Sequence, residues 1–570
     1  MHSHSTRSAL AAFVAAAALV AGCGGSSSND TNGGGGGGND STALKASDLN
    51  ATPRDQLKQG GTLRWGIDEF PSQYNYNQID GTTDPAAQID WAIMPRPFRV
   101  DPQAKITPNT NYVTSAEVTS TSPQVVTYKL NPKAKWSDGK PITWRDYEAE
   151  WNALRDANGP YKLTSATGYE RISSVKAGSD EYEVVVTFAK PFGEWQTLFD
   201  PLYPRATNAD PKSFEDDYKG KIPVTAGAFR LKKIDNTAKT ITVERDPNWW
   251  GPPAKLDAIV YRALPQDAIV GAFANGEVDF GDLGADPNAY KRASGVAGGE
   301  LREAGGPDFR HFTINGSGPI LKDLKVRQAV AMALNREVLA RADLTGLNWP
   351  ARTMGNHFLV NTQNGYADNS GAVGTFDPAK ARTLLDQAGW TLSGNVRKKA
   401  GKTLTLRFII PSQVATSRQE SELAQKMLQD VGVKLDVQTV PSDDFFTKYV
   451  TPGNFDITPF SWIGTPYPIS SAKSIYTNPA KDSKGELQIQ QNYARTGSPQ
   501  IDKLMNDAEE SVDPAKAFDL INQADRQIWE AVHSIILYQR PQITAVKSTL
   551  ANIGAFGLAF KNYEDMGFTQ

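Results

Sequence analysis

The chain has 570 residues, 39% hydrophobic and 22% charged, and its 60 Lys and Arg against 63 Asp and Glu leave a formal charge of -3. So even a balance supplies no basic patch for nucleic acid or for an anionic membrane surface, and the length suffices for two or three domains with large cores. The single cysteine, Cys23, excludes an intramolecular disulfide, so stability must come from core burial.

The chain opens with Arg7 and an alanine-rich apolar run from Ala9 to Ala21, shorter than the ~20 residues that cross a bilayer, which reads as a secretory signal over 1–22. Val20, Ala21, Gly22 and Cys23 form an aliphatic-small-small-Cys pattern that resembles a bacterial lipobox, in which the thiol is acylated and becomes the first mature residue. From Gly24 to Thr42 the chain is almost all Gly, Ser, Asn and Asp, with six consecutive glycines from Gly33. It has no apolar surface to offset ordering, so 23–59 is expected to be a lipid-attached flexible tether. The expected location is outside the cytoplasm, anchored to the cell membrane by lipid, at the cell surface or in a periplasm.

Alternation predicts a first strand over 62–67, then a Pro, Asn, Gly and Asp loop to about Pro85. A strand over 125–130 leads through the Asp138-Gly139 turn to a helix starting at Thr143, with Trp144, Tyr147, Trp151 and Leu154 on one stripe. Further strands are predicted over 183–188, 228–234, 240–244 and 258–262, a helix over 267–275, and a short strand over 278–280. Beyond residue 300 a strand is read over 309–314, helices over 326–341, 378–388 and 417–429, and strands over 403–410 and 434–440. Alternation of this kind indicates an α/β lobe with partly parallel pairing. A helical hairpin over 501–510 and 514–532 precedes an apolar segment ending at Tyr538.

Catalytic patterns are missing. His2 and His4 leave with the signal, and His311, His357 and His533 stand far apart in sequence with no His-Glu-x-x-His pair, so no metal site is expected. No Gly-x-Ser-x-Gly elbow or phosphate-cradling Gly-Lys-Ser/Thr motif occurs. Carboxylates are plentiful, but spacing alone places no two of them across one cleft. Binding without chemistry follows as the reading: no enzyme, no cofactor and no metal.

An ordered set of blocks carries a family resemblance. Trp136-Ser137-Asp138-Gly139 before a helix start, Pro223 to Phe229, and Arg245-Asp246-Pro247-Asn248-Trp249-Trp250 come first. Gly276-Glu277-Val278-Asp279, Val326-Arg327-Gln328-Ala329 and Asp377-Pro378-Ala379-Lys380-Ala381 follow in the same order. The set resembles the family 5 extracellular solute-binding proteins, the peptide- and nickel-binding lipoproteins of ABC importers, over about 60–546, and fits an actinobacterial type.

The resemblance implies an α/β, periplasmic-binding-protein-like fold with two large lobes, a smaller inserted domain and a ligand cleft between the lobes. Lobe I is expected from 60–82, 226–308 and 526–570, the inserted domain from 83–225, and lobe II from 309–525. Asp80, Gly81 and Thr82 are expected to offer ligand-binding backbone by strand addition, the alternative being an ordinary surface turn. Across the cleft the resemblance places Trp462, Ile463, Gly464, Thr465 and Tyr467, and Tyr538 is a further ligand-binding candidate. Trp462 either lines the cleft or packs beneath it. Peptide-binding relatives commonly carry an aspartate where this chain has Thr465. A hydroxyl cannot neutralise an ammonium, so ligands with a capped or neutral end are expected to bind at least as tightly as free amines. The alternative is that Asp80 takes over the aspartate's role.

The implied function is capture of an oligopeptide or peptide-like solute by a monomer and delivery to ABC permease subunits. The alternative is a cell-envelope regulatory or scaffold protein, for example glycolipid-related or sensing a peptide signal, that keeps the fold without transport.

Overall fold

The computed structural model describes residues 44–570; the signal, Cys23 and the glycine tract lie outside the described residues. A ten-stranded mixed sheet runs through the molecule. Its order is Lys434–Val440, Thr405–Pro411, Ile457–Ile463, Gly299–Ile314, Ser534–Lys547, Phe280–Asp282, Thr62–Ile67, Ala258–Ala263, Thr240–Arg245 and Phe229–Asp235.

The two long strands at its centre, Gly299–Ile314 and Ser534–Lys547, pair antiparallel and carry the chain from one lobe to the other. On one side of them Thr405–Pro411 and Lys434–Val440 pair in parallel, joined by helix Ala415–Gln429, which is the βαβ unit that helix and strand alternation implies. On the other side Thr62–Ile67 pairs in parallel with Ala258–Ala263. A separate four-stranded sheet, Val113–Thr121, Gln124–Leu130, Glu183–Phe188 and Ile172–Ala177, forms the inserted domain.

The apolar residues of these sheets divide unequally. Leu63, Trp65 and Ile259 of the large sheet share one continuous core with Tyr128, Val186 and Phe199 of the inserted domain. The opposite lobe has its own interior, built around Val330, Leu406 and Phe408 and around Phe460, Ile521 and Trp529. Among the described residues no helix is long and apolar enough to cross a membrane.

Local signals place several elements as read from sequence. Thr143 and Asp146 form a reciprocal capping box at helix Trp144–Leu154, and Gly139 takes a positive φ of 88° in the Asp-Gly turn. Four readings need correction. Residues 44–59 are part of the folded body: Asp48–Leu49 pairs with Gly554–Ala555, Leu57 is buried, and Lys58 N–H donates to the carbonyl of Phe568 at 2.8 Å. The single helix read over 326–341 is two, Leu324–Ala333 and Arg336–Asp343, because Asn335 caps the second by accepting from Val338 N–H. The strand read over 278–280 lies at Phe280–Asp282. The lobe edge at 525/526 falls inside helix Pro514–Ala531, whose Ile521 and Trp529 both pack in the second lobe; the return crossing begins with Ser534–Lys547.

Candidate functional site

Between the lobes lies a cleft of about 1640 Å³, larger than the ~300–1,000 Å³ of ordinary small-molecule pockets. The lobe I side of the cleft is built by the end of strand Thr62–Ile67, the loop through Ile79 and Asp80, and the first turns of helix Asp84–Ile93. That helix follows the loop directly, although the expected bounds put it at the start of the inserted domain. Lobe II contributes Ile463 to Pro466 and the short helical turn around Ser442 and Phe446. The floor is the point where the crossing strands separate. Their ladder breaks between Gly305 and Phe309, and Pro307, Asp308, Arg540 and Gln542 line the cleft there, with Asp308 and Arg540 ion-paired at 2.6 Å.

The lobe I loop is built by its own amides. Asn75 donates to the carbonyl of Phe214 at 2.9 Å, and Gln78 Oε1 accepts from Asp80 N–H at 2.6 Å. Ile79 N–H donates to Lys162 of the inserted domain and Gly81 N–H to Gln78. The N–H groups of 79–81 are therefore already occupied, so this loop has no row of free donors for a ligand strand. Gly81 does not line the cleft: a Cβ there would lie 2.1 Å from the Asn75 carbonyl oxygen, so the loop's fold requires glycine. Thr82 lines the wall, yet its hydroxyl donates to the Tyr76 carbonyl at 2.7 Å. Asp80 is exposed to the cleft.

On lobe II, Ile463, Gly464 and Thr465 line the cleft while Trp462, Tyr467 and Tyr538 do not. Successive strand side chains alternate faces, and Ile463 at 42% exposure takes the cleft side. Trp462 then points inward, stacked between His311 at 6.1 Å and Tyr493 at 5.8 Å. That period-two rule was available in the sequence. Thr465 is buried and its hydroxyl sits in a local turn with the backbone of Tyr467. Tyr538 faces a buried network in which Arg310 grips Glu420 with two nitrogens at 2.7 and 2.5 Å. Beside it, burial and Glu420 raise the Asp343 carboxyl.

Charge in the cleft is uneven. Asp68, Asp84 and Asp282 stand on the lobe I wall. Enclosure by the walls pushes Asp282 up to about 6, and enclosure with Asp84 nearby raises Asp68. Lys561 lies 5.3 Å from the Trp91 ring and 5.2 Å from Phe556, and burial lowers it.

The three histidines, separate in sequence, converge in lobe II. His357 and His533 both pack on Tyr476, and His357 pairs with buried Asp525 at 2.6 Å. They lie away from the cleft lining, and no group among the described residues has the arrangement to hold a metal ion.

The model of the bacterial extracellular solute-binding proteins, family 5, matches residues 107–484. The chain belongs to this family. Oligopeptide-binding protein OppA of Mycobacterium tuberculosis is 40% identical over 526 residues, covering 92% of this chain and 87% of that protein. Among solved structures, the periplasmic EDTA-binding protein EppA superposes with a TM-score of 0.82 at 25% identity, covering 93% of this chain and 99% of that one. The oligopeptide-binding protein AppA of Bacillus subtilis, in complex with a nonapeptide, gives 0.71 at 20% identity over 90% and 100% of the two chains. This family 5 protein is accordingly a binding protein and not an enzyme.

Proposed function

We propose that this family 5 protein captures an oligopeptide or peptide-like solute outside the cytoplasm and delivers it to an ABC permease. The observation that supports this most is kinship to an oligopeptide-binding protein over nearly the whole chain, joined to a cleft too large for an ordinary metabolite. Mass spectrometry of molecules released by denaturing the purified protein tests it. Peptides are expected; recovery of a non-peptide species alone would refute the peptide assignment.

Anchoring through an acylated Cys23 belongs to the same proposal. Cys23→Ala is expected to move the protein from membrane to medium with its fold intact, read by fractionation and circular dichroism. One acyl chain holds a protein only marginally, so firm retention implies more than one. Unchanged retention of the variant would refute the anchor.

A further inference from the structure

The lobe II wall of the cleft runs straight into a contact with the inserted domain. After Ile463 to Pro466 comes buried Tyr467 and then helix Pro468–Tyr476. Its first turn is capped from the other domain: the Glu194 carboxylate accepts from Ile469 N–H at 3.0 Å and Ser470 N–H at 2.7 Å, and from the Ser470 hydroxyl. These are amides that a helix start leaves without intrahelical partners, and a carboxylate there also complements the helix dipole.

The loop carrying Glu194 is fixed independently. Gln124, buried in the inserted sheet, accepts from Phe192 N–H at 2.6 Å and donates to the Phe192 carbonyl at 3.0 Å. Next, Gly193 N–H donates to the Glu509 carbonyl at 2.7 Å. A Cβ on Gly193 would lie 2.1 Å from the Ser511 carbonyl oxygen, so only glycine allows this approach. Buried Glu509 also binds both Arg171 of the inserted domain and Lys473 of the capped helix. The helix is thus held at its first turn and along its length.

We propose that Glu194 is a positioning residue for ligand binding: by docking the inserted domain on helix Pro468–Tyr476 it sets the Ile463-to-Pro466 wall against the cleft. The cargo readout of this inference rests on the peptide reading above. The ionisable groups near Glu194 are Glu509 on helix Pro499–Glu510 and Tyr467, itself near Asp200 and Arg96. Behind Glu509 stand its partners Arg171 and Lys473, with Glu170 and Glu510 around them. Burial pushes Glu194 up to about 7 in the docked state, against an ordinary ~4.3 once undocked and hydrated. Docking therefore takes up a proton between these values. Affinity is strongest at the acid end of that window, falls as pH rises through it, and levels off above about 7.

The test measures amide hydrogen exchange over 467–476 without peptide, and calorimetric affinity for one synthetic nonapeptide from pH 5 to 8. The wild type is compared with Glu194→Gln and Glu194→Ala. Glu194→Ala is expected to speed exchange at Ile469 and Ser470 and to weaken nonapeptide binding about fivefold or more. Glu194→Gln is expected to flatten the pH profile, which a merely stabilising residue would not do. Unchanged exchange in Glu194→Ala overturns the proposal whether or not the nonapeptide binds. A Glu194→Gln profile that follows the wild type overturns its pH arm. Failure of the nonapeptide to bind any form, with exchange altered as expected, refutes the peptide reading and leaves the positioning role standing.

Discussion

At the scale of single residues, Trp462 shows how adjacent strand positions divide between work and support. Ile463 meets the cleft, and Trp462 lies in the aromatic stack with His311, Phe460 and Tyr493 behind it. Removing so large a buried ring leaves a void that close-packed neighbours only partly fill. Trp462→Ala is expected to lower stability by about 3–5 kcal/mol in denaturant unfolding, with affinity changed far less than by a substitution in the wall itself. A fall in affinity with stability retained would instead place the ring in contact with ligand. The same division separates Thr465, whose hydroxyl is spent on Tyr467, from exposed Asp80, which stands open to the cleft.

At the scale of elements, the two crossing strands carry a break in their own ladder. Gly305 and Gly306 face Gln539, Arg540 and Pro541 where the ladder breaks, and Gln539 bridges the gap by donating to Gly306 at 2.8 Å and Thr362 at 2.9 Å. A Cβ on Gly305 would lie 2.5 Å from the Gln539 amide nitrogen. Gly305→Ala must therefore push Gln539 off its partners, and is expected to cost about 1–3 kcal/mol in thermal unfolding, the usual range for overpacking. A neutral result would show that Gln539 has room to move. What sequence made legible follows the same logic of range. The Thr143 capping box and the turn at Gly139 are short-range devices, readable within a few residues. The pairing of Asp48 with Ala555 spans most of the chain and leaves no local period, so 44–59 read as tether. The wall at Ile463 to Thr465 was reached through family resemblance. Glu194 was not reached at all, because its partners at Ile469 and Ser470 lie in another domain and no spacing links them.

At the scale of the whole molecule, the two lobes and the inserted domain enclose a cleft whose charges do not cancel. Lys162 with Glu215, Lys448 with Asp444 and Arg540 with Asp308 neutralise one another across its rim and floor. Asp68, Asp80, Asp84, Asp282 and Asp443 are without an ion-pair partner among the described residues, against Lys219 and Lys561, the latter near enough to feel Asp84 and Asp282. Low-dielectric walls focus such a field, so cargo bearing positive side chains gains where anionic cargo meets repulsion. A nonapeptide carrying central lysines is expected to bind about fivefold to tenfold tighter than its glutamate counterpart at pH 7.5, a gap of about 1–1.4 kcal/mol. Added salt narrows the gap by screening. The sign with pH is set by Asp282, pushed up to about 6: its charge, and the lysine preference it supports, is present above that value and lost as pH falls through it. Taking the ratio of the two peptides at each pH cancels any effect of Glu194, which acts on both alike. Calorimetric titrations at pH 7.5 and 5, in low and high salt, decide the matter; equal affinities at low salt, or a preference for the glutamate peptide, would refute selection by the acidic wall.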